Sequence, residues 1–181
     1  AVPSFGTENA KLLIVGLAPG VTGANRTGRP FTGDWAGDLL YATLDKFGFS
    51  EGTYAADPGD GLKLPGAMIT NAVRCVPPEN KPVGEEINTC RPFLTARIAS
   101  LPKLKLILCL GKISHDSTLR ALSIKLGPHP FGHGTRYDVS VNGRPVTLLS
   151  SYHCSRYNTN TGRLTAAMFE DVFAAAKEAL G

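Results

Sequence analysis

Apolar residues fall along this chain in two rhythms. Continuous apolar runs occupy residues 11–17 (KLLIVGL), 67–73 (AMITNAV) and 104–111 (LKLILCLG). Runs of that length predict strands buried on both faces. Between them the apolar positions open to helical spacing, with Leu39, Leu40, Leu44 and Phe47 inside 35–49. Further helices are predicted over 84–101 despite Pro92, over 112–126, and over the Ala-rich amphipathic stretch 161–180. Glu85 and Glu86 suit the positive end of the first of these. Alternation returns over 136–153 around Asn142-Gly143, a two-residue hairpin signal. Strand alternating with helix predicts an α/β fold, a three-layer α/β/α sandwich around a mainly parallel sheet. Ligands of such sheets bind beyond the carboxyl ends of the strands. That rule selects the loops after residues 17, 71, 110 and 151.

Composition narrows the class only slightly. At 181 residues and 43% hydrophobic, the chain can build one substantial core, and no linker, charge block or repeat divides it. One domain over 1–181 is expected. The net charge of +4 permits a nucleic-acid partner without demanding one. No apolar run approaches the roughly 20 residues of a membrane span, and no signal-peptide pattern opens the chain. The four cysteines (Cys75, Cys90, Cys109, Cys154) are too scattered for a disulfide scaffold, which points to reduced thiols and a cytoplasmic setting. The start AVPSFGTENA lacks a methionine, so a preceding N-terminal segment is expected.

Three of the four selected strand ends carry unusual residues. The first leads into GLAPGVTGANRTGRPFTGD (16–34), the second carries Asn71 and then RCVPPENKP, and the last carries His153 in SYHCSRYNTNTGRLT. The glycine-rich loop lacks the Gly-Lys-Ser/Thr ending of a P-loop and the tight G-x-G-x-x-G turn, so it is a poor nucleotide cradle. A loop that long without structure of its own is usually functional.

These three segments resemble the motifs of uracil-DNA glycosylases, most closely the B-type, or family 5, branch, and the resemblance runs from about residue 3 to the C-terminus. It implies a DNA repair enzyme that extrudes uracil from DNA, reads its edge in a pocket, and hydrolyses the N-glycosidic bond to leave an abasic site. Phe31 would stack on the extruded base, and Asn71 would read its imide edge with one donor and one acceptor. The backbone at Gly16, Leu17 and Ala18 would approach the base closely, which requires small residues. His153 would donate to uracil O2 as negative charge grows there. Asp34 takes the catalytic carboxylate role by resemblance, with Asp38 the competing acid and a helix N-cap the alternative role for Asp34. Leu17 stands where the A-type branch has Glu, so the stretch GLAPG offers no carboxylate. Cys154 replaces the usual proline after the histidine, which removes a stiffening residue from that turn. Arg156, Tyr157, Asn158 and Arg163 are candidates for contacting phosphate or filling the gap left by the base.

In the family, Cys75 and Cys90 correspond to two of the four thiolate ligands of a [4Fe–4S] cluster, the other two lying upstream. A cluster-free relative with two residual thiols is the alternative. The partner implied is uracil-containing DNA, and the chain is expected to act as a monomer. Two rivals remain open. One is a uracil-DNA binding protein with little turnover, and the other a nucleotide-binding α/β protein without a DNA function.

Overall fold

The computed structural model describes residues 1–75, 77 and 82–181. Six strands form one sheet in the order β1-β3-β2-β4-β6-β5. They are β1 (Phe5–Gly6), β2 (Leu12–Gly16), β3 (Ala67–Asn71), β4 (Leu106–Leu110), β5 (Arg136–Val141) and β6 (Arg144–Ser151). The four inner strands run parallel, while β1 and β5 close the two edges antiparallel. The α/β sandwich expected from the pattern is the fold observed.

The continuous apolar runs are explained by two cores, one on each face of the sheet. Leu12, Ile14, Ile69, Leu106 and Leu108 face α2 (Trp35–Lys46) and α6 (Ala166–Leu180), meeting Leu40, Leu44, Phe169 and Phe173. Leu13, Val15, Met68, Ile107 and Cys109 face α3 (Gly84–Ala99) and α4 (Lys112–Ala121), meeting Leu94, Ile98 and Leu119. Side chains alternate faces along a strand, so a strand covered twice must be apolar at every position. Each such Leu or Ile contributes about 1.5–3 kcal/mol relative to exposure.

The helices are shorter than their apolar patterns for local reasons. The pattern over 35–49 stops at Lys46, because Gly48 takes a left-handed φ of 75° and turns the chain away. That over 112–126 stops at Ala121, just before Ser123 turns left-handed at φ 58°. The last helix begins at Ala166 rather than 161, where Thr165 accepts a hydrogen bond from the Met168 N–H at 3.1 Å. The residues before it form a separate short helix, α5 (Arg156–Asn160). A four-residue helix, α1 (Ala24–Thr27), breaks the long glycine loop. No helix among the described residues is long and apolar enough to cross a membrane.

Candidate active site

The chain passes from β2 to its neighbour β3, then crosses to β4 on the other side of β2. A sheet whose order reverses in this way opens a crevice at the carboxyl ends of its central strands. Gly16 and Asn71 end β2 and β3 in register, and the pairing continues beyond them. Ala72 and Val73 donate their N–H groups to the carbonyls of Gly16 and Leu17, each at 2.9 Å. This extension fixes the start of the glycine loop against the end of β3.

Ala18, Pro19, Gly20, Ala24, Phe31, Asp34, Asn71 and His153 line one small cavity of about 40 Å³ there. Four of the predicted side chains therefore meet although the sequence separates them widely. A space of this size takes water rather than a pyrimidine, so a base enters only if the loop shifts. Gly16 lies beneath the cavity: a Cβ there would come within 2.4 Å of Asn71 Oδ1 and 2.5 Å of the Phe31 ring. Leu17 is not part of the lining. Pro19, Gly20 and Ala24 belong to it as well, and their one signal in the sequence is small size inside the glycine-rich loop.

Asn71 is 7% exposed, and its Oδ1 is buried without a hydrogen-bond partner among the described residues. An orphaned amide oxygen costs about 1–3 kcal/mol. Protein interiors rarely tolerate such an atom unless something else supplies the donor. The oxygen is thus free to accept from a ligand in the cavity.

His153 stands apart from the other three histidines. The ring of His115 is bonded to Ser150 Oγ at 2.7 Å and to the His129 carbonyl at 2.8 Å. His129 meets the Lys125 carbonyl at 2.8 Å, and His133 accepts from the Tyr152 N–H at 3.0 Å. Among the described residues nothing bonds the ring of His153. Surrounding protein atoms strip it of water and lower its pKa to about 4, so the imidazole is neutral at physiological pH. Its ring stacks near that of Phe31, with centroids 6.1 Å apart and planes inclined by 29°.

Phe31 sits at φ 55°, a left-handed conformation unusual for a bulky residue. Such strain persists only where the surroundings hold it. Here the hold comes from Arg29, which no pattern in the sequence singles out. Its guanidinium is buried and pairs with both carboxylate oxygens of Asp60 at 2.9 Å. The rings of Phe5, Tyr41 and Tyr54 surround it at 5.0, 5.5 and 5.7 Å. The Tyr41 hydroxyl donates to the Pro30 carbonyl at 2.7 Å, anchoring the residue before Phe31.

Asp34 has two faces. Its Oδ1 accepts from the Gly37 N–H at 2.9 Å and caps α2. The carboxylate also lies against the glycine loop, since a Cβ at Gly23 would come within 2.4 Å of Oδ2. One oxygen serves the helix and the other borders the cavity. Asp38 is exposed and lies on a different cleft, beside Tyr41 and Tyr54.

The last motif divides by direction. Asn158 turns inward, donating from Nδ2 to the His153 carbonyl at 2.9 Å. Arg156, Tyr157 and Arg163 are exposed. Arg163 lies over the Tyr152 ring at 4.9 Å. Cys154 is buried and its thiol donates to the Ala36 carbonyl at 3.6 Å, tying the histidine turn to α2 in place of proline's stiffness.

Cys75 is exposed and Cys90 half-buried. Burial pushes the thiols of Cys109 and Cys154 up to about 12, which makes both poor ligands. Among the described residues no three His, Cys, Asp or Glu side chains stand close enough to hold a metal ion. Two available thiols are half of what a [4Fe–4S] cluster requires, so these residues alone do not fit one. Of the segment between Cys75 and Cys90, residues 76 and 78–81 lie outside the described residues.

A family profile described as the uracil DNA glycosylase superfamily matches residues 3–177. A type-5 uracil-DNA glycosylase of Thermus thermophilus is 45% identical over 180 residues, covering 99% of this chain and 80% of the relative. One from Mycobacterium tuberculosis is 44% identical over 183 residues, covering 99% and 67%. A type-4 uracil-DNA glycosylase of Pyrobaculum aerophilum is 33% identical over 154 residues, covering 84% and 70%. Identity is thus higher on the type-5 side, in keeping with the motifs. With profile, relatives and the parallel-sheet crevice in agreement, the chain belongs to the uracil DNA glycosylase superfamily.

Proposed function

We propose that this chain, as a single catalytic domain over residues 1–181, removes uracil from DNA by hydrolysing its N-glycosidic bond. The carrying observation is the meeting of Phe31, Asp34, Asn71 and His153 in one cavity, with the Asn71 oxygen left unpartnered. Uracil offers an N3–H to that oxygen and O4 to the amide NH₂. Phe31 provides a flat apolar wall for the ring.

Bond cleavage sends the electron pair of the C1′–N1 bond to the base, leaving positive charge on the sugar. His153 donates to O2 as the departing base becomes anionic. A neutral imidazole suits this step, because it can donate without first paying to bury a cation. Asp34 faces the sugar with the oxygen not used as a cap, stabilises its positive charge and orients the water that attacks C1′. The products are free uracil and an abasic site, and the hydrolysis needs no redox cofactor. Arg156, Tyr157 and Arg163 meet the DNA, while Asn158 supports the His153 turn.

Asp34→Asn tests this assignment. Asn keeps the size and capping capacity of Asp, so folding survives. Single-turnover excision from a uracil-containing duplex falls by about 10² or more. A parental rate in Asp34→Asn with loss in Asp38→Asn would transfer the role to Asp38.

A second reading, a uracil-DNA binding protein with little turnover, is favoured by one observation: a helix N-terminus already claims one oxygen of Asp34. The same assay separates the two, since a binder releases no uracil even at excess protein.

The iron–sulfur cluster belongs to the proposal in a limited form. Cys75 and Cys90 would supply two thiolates, with the other two from residues outside 1–181. The Val2 N–H donates to the Arg74 carbonyl at 2.8 Å, which brings the start of the chain beside Cys75. Iron and sulfide analysis of the natural protein decides it, and absence of both removes the cluster. The natural protein is proposed to act as an intracellular monomer.

A further inference from the structure

Trp35 is the one tryptophan in the chain, and it is half exposed immediately after Asp34. It opens α2 directly after Asp34, which lines the cavity. The indole is not loose. Its Nε1–H donates to Thr159 Oγ1 at 2.9 Å, a link across 124 residues to the helix that follows His153. The Arg156 guanidinium lies over the ring at 5.8 Å. Trp35 therefore ties the end of the glycine loop to the segment that follows His153.

The chemistry left to this side chain is restricted. Its only polar atom is used internally, so the exposed part of the ring can offer an apolar aromatic surface and nothing more. A tryptophan held rigidly in this way loses little conformational entropy on meeting a flat partner. Other exposed apolar residues gather on the same two segments: Val21 is 55% exposed and Tyr157 75% exposed. The surface beside a base-extrusion pocket is thus aromatic at its rim and cationic at Arg156. That combination fits an unstacked nucleobase with its phosphate.

We propose that Trp35 is a DNA-binding residue whose exposed ring stacks on a nucleobase flanking the extruded nucleotide. This rests on the uracil-excision reading, since a base loses its stacking partner only when its neighbour leaves the helix. Arg156 then serves twice, capping the indole and facing the adjacent phosphate.

The experiment uses the natural full-length protein and a duplex bearing 2′-fluorinated deoxyuridine, whose fluorine slows hydrolysis by disfavouring a sugar cation. Emission of Trp35, obtained as the difference between parent and Trp35→Phe, should be quenched by this duplex and much less by an undamaged one. Trp35→Ala should weaken binding to the modified duplex about tenfold or more, while Trp35→Phe retains most affinity. The dependence of binding on salt should stay unchanged, because stacking releases no counterions.

Equal quenching by both duplexes would overturn the assignment to a flanking base. Absence of quenching would overturn it too, and needs only the conservative Trp35→Phe variant to fold. A salt slope reduced by about one in Trp35→Ala would assign the effect to Arg156 instead. Uracil release by the parent is measured alongside. If the parent excises uracil but Trp35 emission ignores the DNA, stacking alone fails. If the parent neither excises uracil nor prefers the modified duplex, the functional reading fails.

Discussion

Two buried polar centres share the loop between β2 and α2, and they are built in opposite ways. At Arg29, Nη1 and Nη2 pair with the two oxygens of Asp60, and Nε donates to Thr32 Oγ1 at 2.8 Å. Asp60 further accepts the N–H groups of Ala55 and Leu62, both at 2.9 Å. At the cavity, Asn71 Oδ1 has no partner among the described residues, and the half-buried His153 ring has no hydrogen bond acting on it there. A centre with every group satisfied can only hold structure. One with a group left over can accept a ligand, at some cost to stability. Arg29 lies two residues before Phe31, so the satisfied centre holds the strained residue that walls the unsatisfied one.

The sharpest way to break this contrast is to unpair the satisfied centre. Arg29→Met leaves the buried Asp60 carboxylate without its cation, held only by two backbone N–H groups, and should cost about 3–5 kcal/mol in urea unfolding. Adding Asp60→Leu should recover much of that loss, because the uncompensated charge is removed as well. A destabilisation under 1 kcal/mol in the single variant would mean the pair is not a buried anchor.

Next in size is the unsatisfied centre. His153→Ala should lower single-turnover excision by about 10² or more, equivalent to about 2.7 kcal/mol of barrier, while DNA affinity changes little. Unchanged excision would remove His153 from the chemistry.

Asn71 should separate stability from function. Asn71→Ala deletes an unpaired buried oxygen, so its melting temperature should hold or rise slightly even as uracil excision drops. Asn71→Asp should excise worse than Asn71→Ala, since a carboxylate repels a departing anion and cannot donate to O4. A marked loss of stability in Asn71→Ala would show that the amide is structurally paired after all.

The two centres also differ in pH, where each has its own window. His153 falls from an ordinary 6.5 to about 4, so the unfolded chain binds more protons between those values. Stability from this group is complete above about pH 6.5 and is lost as pH falls toward 4. The Arg29 guanidinium holds Asp60 far below its usual 3.8, so that centre weakens only at more acidic pH. Melting curves from pH 7 to 4 should show a decline that flattens in His153→Gln. An NMR titration placing the His153 pKa near 6.5 would contradict this desolvation.

Much of the fold was legible because burial on both faces leaves a continuous apolar run, as at residues 104–111. The two-residue edge strand β1 was not, since Phe5–Gly6 carries too short a pattern to distinguish strand from coil. Helix ends were misplaced wherever apolar spacing continued past a left-handed residue such as Ser123. Within the site, the motif residues could be named individually, but their directions could not. Asn158 and Arg156 sit two residues apart, yet one turns in to hold the His153 carbonyl and the other faces outward.

By itself, the sequence determined the parallel sheet, the strand ends that carry the motifs, and family membership through Asn71, His153 and the glycine loop. These are properties of local periodicity and of residue identity at fixed spacing, which survive without coordinates. Only the tertiary structure decided that Arg29 meets Asp60 across 31 residues and Trp35 meets Thr159 across 124. Polar pairs at such separations leave no periodic trace, because each partner alone looks like an ordinary surface side chain. The unpartnered oxygen of Asn71 was hidden for the same reason: whether a buried group is satisfied depends on what the rest of the chain brings to it.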